Sequence, residues 1–209
     1  MPQRHILKIS EIFPSIQGEG LRLGEPTLFV RLSGCNLKCD FCDTKYAWAS
    51  GKEMTVSRVM EKVRKIHHIS PARWVCLTGG EPLLQKVEKL VRLLKDEGFK
   101  IQVETNATIY RPMPVSWYTI SPKPPKYLYQ PEYRKKAKEV KIVVTRGLEL
   151  RVLQKLRQEF PEKIPLLLQP QSNRRWSLDQ AKKLLKQSLK GNLNNVRLSV
   201  QIQRIFGWR

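Results

Sequence analysis

The segment SGCNLKCDFCDTKYAW contains three of the four cysteines, Cys35, Cys39 and Cys42, in a stretch of eight residues. Their C-x3-C-x2-C spacing lacks the second ligand pair of a zinc finger, and a redox C-x-x-C pair leaves Cys35 without a role. Three thiolates on one short loop can hold three irons of a cubane cluster and leave the fourth iron open to a ligand. The spacing favours an iron–sulfur site, with a zinc site and a redox pair as alternatives.

The elements that must position this loop alternate between strand and helix. Apolar residues recur at helical spacing over 55–66, with Thr55 as N-cap, and over 82–98, which starts at Pro82 and closes at Gly98. Further helices are predicted at 148–160 and 178–189, and a long proline-rich loop at 122–133. The predicted strands are 6–13, 27–33, 73–80, 99–105, 116–121, 140–144, 164–169 and 196–202.

Short buried strands that alternate with helices are typical of an α/β fold with mostly parallel strands. The chain has 209 residues, below the usual size of a complete eightfold barrel, and too few strands are predicted to close one. We therefore predict an incomplete, TIM-like barrel in a single domain spanning 1–209. Sites in parallel sheets form at the carboxyl ends of strands, where the cysteine loop and the segments TGGEP, ETN, SPK and QPQ fall.

The net charge is unusual, because 39 Lys and Arg residues against 18 Asp and Glu give +21. A field of this size attracts polyanions or acidic proteins, although charge runs are also common on solvated helix faces. No apolar run is long enough to cross a bilayer, and the N-terminal residues lack the apolar stretch of a signal peptide. Crowded cysteines do not suggest a secreted disulfide framework. We expect a cytoplasmic protein with no membrane association.

The cysteine spacing is the signature of the radical S-adenosylmethionine (SAM) superfamily, which the chain also resembles in its GGEP segment, residues 79–82. The resemblance implies a 4Fe–4S cluster on Cys35, Cys39 and Cys42, with SAM chelating the open iron. Reductive cleavage of SAM in that superfamily gives a 5′-deoxyadenosyl radical. The SAM contacts implied by the resemblance are Phe41, Asp43, Gly80, Ser121, Pro122, Lys123 and Gln169.

Within the superfamily, the stretch EIFPSIQGEG and the segments TGGEP, ETN, ISPK and SVQ closely resemble the 7-carboxy-7-deazaguanine synthase family. That resemblance implies a lyase that converts 6-carboxy-5,6,7,8-tetrahydropterin to 7-carboxy-7-deazaguanine and ammonia, in the queuosine and archaeosine precursor pathway. It also implies a trimmed barrel, a magnesium ion and a homodimer. The residues it assigns are Thr44 to magnesium, and Ile16, Gln17, Gly18, Arg31 and Thr78 to the substrate.

Taken alone, these residue types allow structural roles as well. A guanidinium at Arg31 can grip a carboxylate with two parallel hydrogen bonds, but an edge strand also carries surface charges. A glycine-bearing loop at 16–18 can approach a flat heterocycle or form a plain turn. Thr44 can bind magnesium or cap the backbone. Cys76 lies in the apolar segment WVCL and is predicted to be a core residue.

The C-terminal segment departs from the family pattern S-x-Q-x-H-K, since Gln203 stands where the family often has histidine. We carry no role to Gln203, and we expect the tail 199–209 to close the active site. Two alternatives stay open: a glycyl-radical enzyme activase of the same superfamily, and a basic nucleic-acid-binding protein with a structural metal. No dominant aromatic–basic motif supports direct nucleic-acid binding. The positive field instead predicts an acidic electron donor such as flavodoxin or ferredoxin.

Overall fold

The computed structural model describes residues 5–208, which form two compact units. The first unit comprises 5–16, 25–105 and 109–118, and the second comprises 17–24, 106–108 and 119–208. The single domain over 1–209 stays a prediction, and residues 1–4 and Arg209, the last residue of the predicted tail, lie outside the described residues. Within 5–208 no helix is long and apolar enough to span a bilayer.

In the first unit, strand β1 (Ile6–Ile16) pairs antiparallel with β2 (Pro26–Leu32) and with β3 (Lys52–Thr55). Strand β2 continues in parallel to β4 (Trp74–Gly79) and then β5 (Lys100–Thr105). Helix α1 (Val56–Ile69) begins at the predicted N-cap, because the Thr55 side chain accepts a hydrogen bond from Arg58 N at 3.2 Å. Helix α2 (Glu88–Asp96) precedes β5, and β6 (Trp117–Ile120) has residues in both units.

Alternation along β2 and β4 separates two kinds of side chain in the first unit. Leu28, Val30 and Leu32 are fully buried, as are the core residues of α1 and α2. On the other face Phe13 and Phe29 stack with their ring centroids 5.2 Å apart, and Cys76 lies in the same cluster. The prediction that Cys76 is a core residue is therefore confirmed.

The second unit contains the parallel strands β7 (Ala137–Val144), β8 (Leu166–Pro170) and β9 (Val196–Leu198). Their buried apolar residues belong to the core of this unit, and β8 contacts both α4 and α5. The helices of this unit are α3 (Tyr133–Lys136), α4 (Leu150–Glu159), α5 (Arg175–Lys190) and α6 (Ile202–Ile205).

Several of the predicted elements were wrong in their bounds. The predicted helix 82–98 is interrupted: a 3₁₀ turn over Pro82–Leu84 is followed by Gln85 in extended conformation, and α2 starts only at Glu88. The predicted strand 196–202 stops at Leu198. After it, the side chains of Ser199 and Gln201 form hydrogen bonds with Gln169 and Glu19. Ile16 is the last residue of β1 rather than part of a loop. The short polar strand β3 was missed.

Candidate active site

The cysteine loop, defined as residues 33–47, follows β2, and backbone hydrogen bonds fix its first two residues. Ser33 N donates to Lys8 O at 2.9 Å, and Gly34 N donates to Ala47 O at 2.8 Å. Glu81 N donates to Gly34 O at 2.8 Å, so the GGEP segment also fixes the start of the loop. The backbone on which Cys35 begins is therefore fixed by β1, by the end of the loop and by GGEP.

Cys35, Cys39 and Cys42 form no disulfide among the described residues and are partly exposed. Cys42 Sγ accepts a hydrogen bond from Thr44 N at 3.4 Å, and the Cys42 amide donates to Cys39 O at 3.0 Å. Among residues 5–208 no three His, Cys, Asp or Glu side chains are gathered at metal-binding distances. The donor set is nevertheless chemically suited to a cluster, since sulfur ligands on one short loop match what iron–sulfur centres take.

The glycines that end β4 pack directly on this loop. A side chain at Gly80 would collide with Gly34 O and lie 2.9 Å from the Cβ of Cys35. Gly79 has a φ of +134° and its Cβ would collide with Leu32 O, so only glycine suits that position. The buried Glu81 carboxylate accepts hydrogen bonds from Leu83 N at 3.0 Å and Thr105 Oγ1 at 2.7 Å. Glycine at Gly80 thus allows the GGEP segment to pack closely against the backbone that leads into Cys35.

A row of polar side chains crosses the strands of the first unit near the same sheet edge. In the strand register Arg31 lies opposite Glu11 on one side and Thr78 on the other. Arg31 Nε donates to Glu11 Oε1 at 2.7 Å, and Tyr46 OH donates to the same oxygen at 2.5 Å. Thr78 Oγ1 donates to Glu104 Oε2 at 3.2 Å. The predicted substrate residues Arg31 and Thr78 are therefore neighbours, and sequence reasoning missed Glu11.

The predicted magnesium ligand Thr44 lies just after the third cysteine and donates its hydroxyl hydrogen to Asp43 Oδ1 at 2.9 Å. Phe41 and Cys42 are both partly exposed, and Asp43 is exposed. The side chains of Asp43 and Thr44 thus place oxygen atoms, the ligands that magnesium prefers, next to Cys42 in the chain.

The remaining predicted SAM contacts lie in the second unit, at the ends of β6 and β8. Ser121 Oγ donates to Lys141 O at 2.8 Å and accepts from Lys123 Nζ at 2.6 Å. Gln169 Oε1 accepts from Ser199 Oγ at 3.1 Å, whereas its buried Nε2 has no hydrogen-bond partner among the described residues. An orphaned buried amide donor is expensive, so Gln169 is suited to hold a polar ligand.

The Q-G-E-G segment at 17–20 carries a charged group that the sequence analysis did not single out. Glu19 forms an ion pair with Lys141 and accepts hydrogen bonds from Gln201 Nε2 at 2.6 Å and Gln203 Nε2 at 3.1 Å. The Glu19 and Lys141 side chains are 14% and 10% exposed, so this pair is largely buried. We call these four residues the Glu19 cluster. In the sequence, the cluster shows only as polar residues in two distant segments, Glu19 near the N-terminus and Gln201 and Gln203 near the C-terminus.

The same cluster explains the glycine at Gly18. A side chain at Gly18 would collide with the Gln203 amide, and Gly18 O accepts from Ile202 N at 3.1 Å. Gln17 is buried, and its Oε1 accepts from Glu19 N at 3.2 Å. The structure therefore gives Gln203 a contact with the 17–20 segment, in the position where the family pattern has histidine.

The proline-rich loop is anchored on α4 in the second unit. Tyr129 OH donates to Glu159 Oε2 at 2.6 Å and accepts from Arg134 Nε at 3.1 Å. Burial, with a further contribution from the Glu159 carboxylate, raises the pKa of Tyr129 to about 12. The tyrosine is therefore held as a neutral donor over the ordinary pH range.

Comparison with known proteins gives a consistent result along the chain. Residues 29–136 match the family model of the radical SAM superfamily. The 7-carboxy-7-deazaguanine synthase of Aquifex aeolicus is 35% identical, with 96% of this chain and 94% of the relative covered. The synthase of the same name from Rickettsia prowazekii is 31% identical, with 96% and 88% covered. The crystal structure of QueE from Escherichia coli superposes with a TM-score of 0.78 at 27% identity over 94% of each chain.

The fold and the cysteine loop are those of a radical SAM protein, a class that works with a 4Fe–4S cluster and SAM. The predicted fold, a mostly parallel α/β incomplete barrel, is confirmed by this likeness. The relatives decide further between the alternatives left open by the sequence. The chain belongs to the 7-carboxy-7-deazaguanine synthase family.

Proposed function

We propose that this chain is a radical SAM lyase that converts 6-carboxy-5,6,7,8-tetrahydropterin to 7-carboxy-7-deazaguanine and ammonia, a step of 7-deazapurine biosynthesis. The observation that carries the proposal is the row of Arg31 and Thr78 at the sheet edge, in a chain whose relatives carry that activity in their names. The row offers a cation and a hydroxyl to an anionic, hydrogen-bonding substrate. A glycyl-radical activase, which acts on a polypeptide, has no need of this pair.

The thiolates of Cys35, Cys39 and Cys42 hold the cluster in this account, and its open iron leaves room for SAM. When bound, the cluster and SAM supply one-electron chemistry that generates a carbon radical. The protein has to bind, orient and shield the reactants. SAM contacts are proposed at Phe41, Asp43 and Gly80 of the first unit and at Ser121, Pro122, Lys123 and Gln169 of the second.

Arg31 is suited to hold the carboxylate of the pterin. Glu11 engages its Nε, while its two terminal nitrogens make no hydrogen bond to the described residues. Those nitrogens are the ones that bind a carboxylate in the fork geometry. The side chain is only 17% exposed, so the ion pair with Glu11 also limits its rotation. Thr78, its neighbour in the register, supplies a hydroxyl to the same substrate.

We also place substrate contacts at Ile16, Gln17 and Gly18. The side chain of Gln17 is buried, and the missing side chain of Gly18 makes room for Gln203. Glu19, next to this segment, accepts hydrogen bonds from Gln201 and Gln203. We propose that the tail 199–209 closes the active site. We further propose that Thr44 binds magnesium, which prefers oxygen ligands and keeps substrate oxygens and waters in its shell.

The proposed function is tested with the full chain, loaded with iron and sulfide under anaerobic conditions and supplied with SAM, Mg²⁺, a chemical reductant and 6-carboxytetrahydropterin. We expect one ammonia for each 7-carboxy-7-deazaguanine, with SAM recovered rather than consumed. Omission of Mg²⁺ lowers the rate if Thr44 holds the ion. Formation of 5′-deoxyadenosine without any deazaguanine product, from a preparation with a full cluster, would contradict the proposal.

The partners we propose are a second copy of this chain, in a homodimer, and an acidic electron donor such as flavodoxin or ferredoxin. The net charge of +21 supports the second, because complementary charge speeds encounter between proteins. Reduction of the loaded enzyme by flavodoxin should slow steeply between low and high salt, since screening is strong beyond about 10 Å at 0.1 M. A rate that does not change with salt would contradict the donor assignment, and a monomer in sedimentation analysis would contradict the dimer.

A further inference from the structure

The amide of Gln85 joins three parts of the first unit that are far apart in sequence. Its Oε1 accepts from Lys8 N at 2.7 Å, and its Nε2 donates to Lys8 O and to Ser33 O, both at 2.9 Å. Lys8 lies in β1, and Ser33 is the first residue of the cysteine loop. One side chain thus satisfies both backbone groups of Lys8 and the carbonyl two residues before Cys35.

The backbone of Gln85 departs from its local preference to reach these partners. The sequence 82–98 has a strong helical pattern, yet Gln85 adopts φ −98° and ψ 155°, which interrupts it. A break in a locally favoured helix gives up hydrogen bonds, so compensation has to come from elsewhere. The three long-range hydrogen bonds of the Gln85 amide provide it.

The segment 79–85 packs against the residues that lead into Cys35. At its start, Gly80 packs against Gly34 and the Cβ of Cys35. At its end, Gln85 holds the Ser33 carbonyl, and between them Glu81 N donates to Gly34 O at 2.8 Å. Residues 33 and 34, which lead into Cys35, are therefore held from both ends of one segment.

We propose that Gln85 is a positioning residue for Cys35, which it orients through Ser33 without touching the cluster. This rests on the radical SAM class of the chain and not on its substrate. Glutamine suits the task because its amide has a donor and an acceptor at the required reach. Glutamate has the same length but no donor for the two carbonyls, and methionine has neither group. Loss of such an outer contact lowers metal affinity about 10- to 100-fold in well-studied sites.

The experiment compares wild type with Gln85→Glu, Gln85→Met and the control Arg111→Gln, all as full chains loaded with cluster under argon. Arg111 donates to Leu83 O at 2.7 Å and to Glu88 Oε1 at 3.1 Å in the same turn, and it makes no hydrogen bond to the cysteine loop within the described part of the chain. Three quantities are measured without substrate: iron bound per chain, the rate of iron release to a ferrous chelator, and the paramagnetic resonance spectrum of the reduced cluster with and without SAM. Urea unfolding of the cluster-free proteins reports stability separately.

We expect both Gln85 variants to release iron roughly tenfold faster than wild type and to show an altered spectral response to SAM. Arg111→Gln should release iron within about twofold of wild type, even where its loss of stability is similar. Unchanged release in both Gln85 variants, or equal acceleration in Arg111→Gln, would overturn the proposal. Should Gln85→Met fail to fold, Gln85→Glu carries the test alone, because it keeps the side-chain length and the bond to Lys8 N. Since no substrate is used, failure here is distinct from failure of the proposed lyase activity.

Discussion

The cysteine loop and the Glu19 cluster are two polar regions that satisfy their side chains differently. In the loop, the backbone is hydrogen-bonded at Ser33 and Gly34, while the three thiols stay partly exposed. In the cluster, a largely buried carboxylate is paired with Lys141 and with two glutamine amides. The cysteine loop thus keeps its thiols accessible on a fixed backbone, whereas the polar groups of the Glu19 cluster bind one another.

The difference teaches which substitutions should affect chemistry and which should affect stability. Partly exposed groups contribute little to the free energy of unfolding, because folding removes little of their contact with water. Groups that are paired in a buried place leave a desolvated partner when they are removed, and that is costly. The predictions below use this contrast.

The largest effect is expected from Cys39→Ser, which removes a ligand of the cluster. Bound iron and lyase activity should fall, the activity by at least about 1,000-fold, because the cluster requires three thiolates. The unfolding free energy of the cluster-free protein should change by less than about 0.5 kcal/mol, since the thiol is partly exposed. Iron analysis, product assay and urea unfolding measure the three quantities.

Cys76→Ala is the matched control for that prediction. Cys76 is fully buried beside Phe13 and Phe29, so its truncation should cost about 1 kcal/mol of stability and leave iron content unchanged. Full iron loading of Cys39→Ser, or iron loss in Cys76→Ala, would contradict the assignment of the cysteines.

Glu19→Gln should destabilise the protein by about 3 kcal/mol, because it leaves the Lys141 ammonium buried without its carboxylate. Urea unfolding measures the loss, and the double variant Glu19→Gln with Lys141→Met should recover part of it. The control Glu149→Gln breaks an exposed pair with Arg151 and should cost less than about 0.5 kcal/mol. Equal losses of unfolding free energy in Glu19→Gln and Glu149→Gln would contradict a stabilising role for the Glu19 cluster.

Arg31→Lys keeps the charge and loses the fork that binds a carboxylate. We expect kcat/KM for the pterin to fall roughly 30- to 100-fold, while iron content and the spectral response to SAM stay unchanged. Steady-state kinetics at saturating SAM measure the change. Arg58→Lys, in an exposed pair with Glu61, serves as control. A kcat/KM indistinguishable from that of Arg58→Lys would remove Arg31 from the substrate site.

The smallest effect concerns Tyr129, whose pKa is raised to about 12 by burial and by the Glu159 carboxylate. A raised pKa means that the folded state favours the neutral phenol, so its stabilisation is complete below the unfolded value near 10 and is lost as pH rises toward 12. The stability difference between wild type and Tyr129→Phe should therefore shrink over that interval. A difference that is constant from pH 8 to 11.5 in urea unfolding would contradict the raised pKa.

Local signals were enough for much of the fold. Thr55 caps α1 as predicted, and the cysteine spacing with GGEP led to the superfamily that the family model confirms. The segment EIFPSIQGEG led to the family that the relatives confirm. The predictions that were wrong concern residues whose hydrogen-bond partners lie far away in the sequence. Gln85 interrupts a helix because of groups 77 and 52 residues away, and a helical pattern carries no sign of them. Gln201 finds Glu19 across 182 residues, so neither the early end of β9 nor the Glu19 cluster was visible in its own segment.

The central claim is that the three cysteines hold a cluster with one iron left for SAM. Paramagnetic resonance of the anaerobically loaded and reduced full chain, recorded with and without SAM, tests it most directly. The account predicts a reduced 4Fe–4S signal whose shape changes when SAM is added. Zinc in place of iron on the purified chain, or a cluster signal that SAM leaves unchanged, would contradict it.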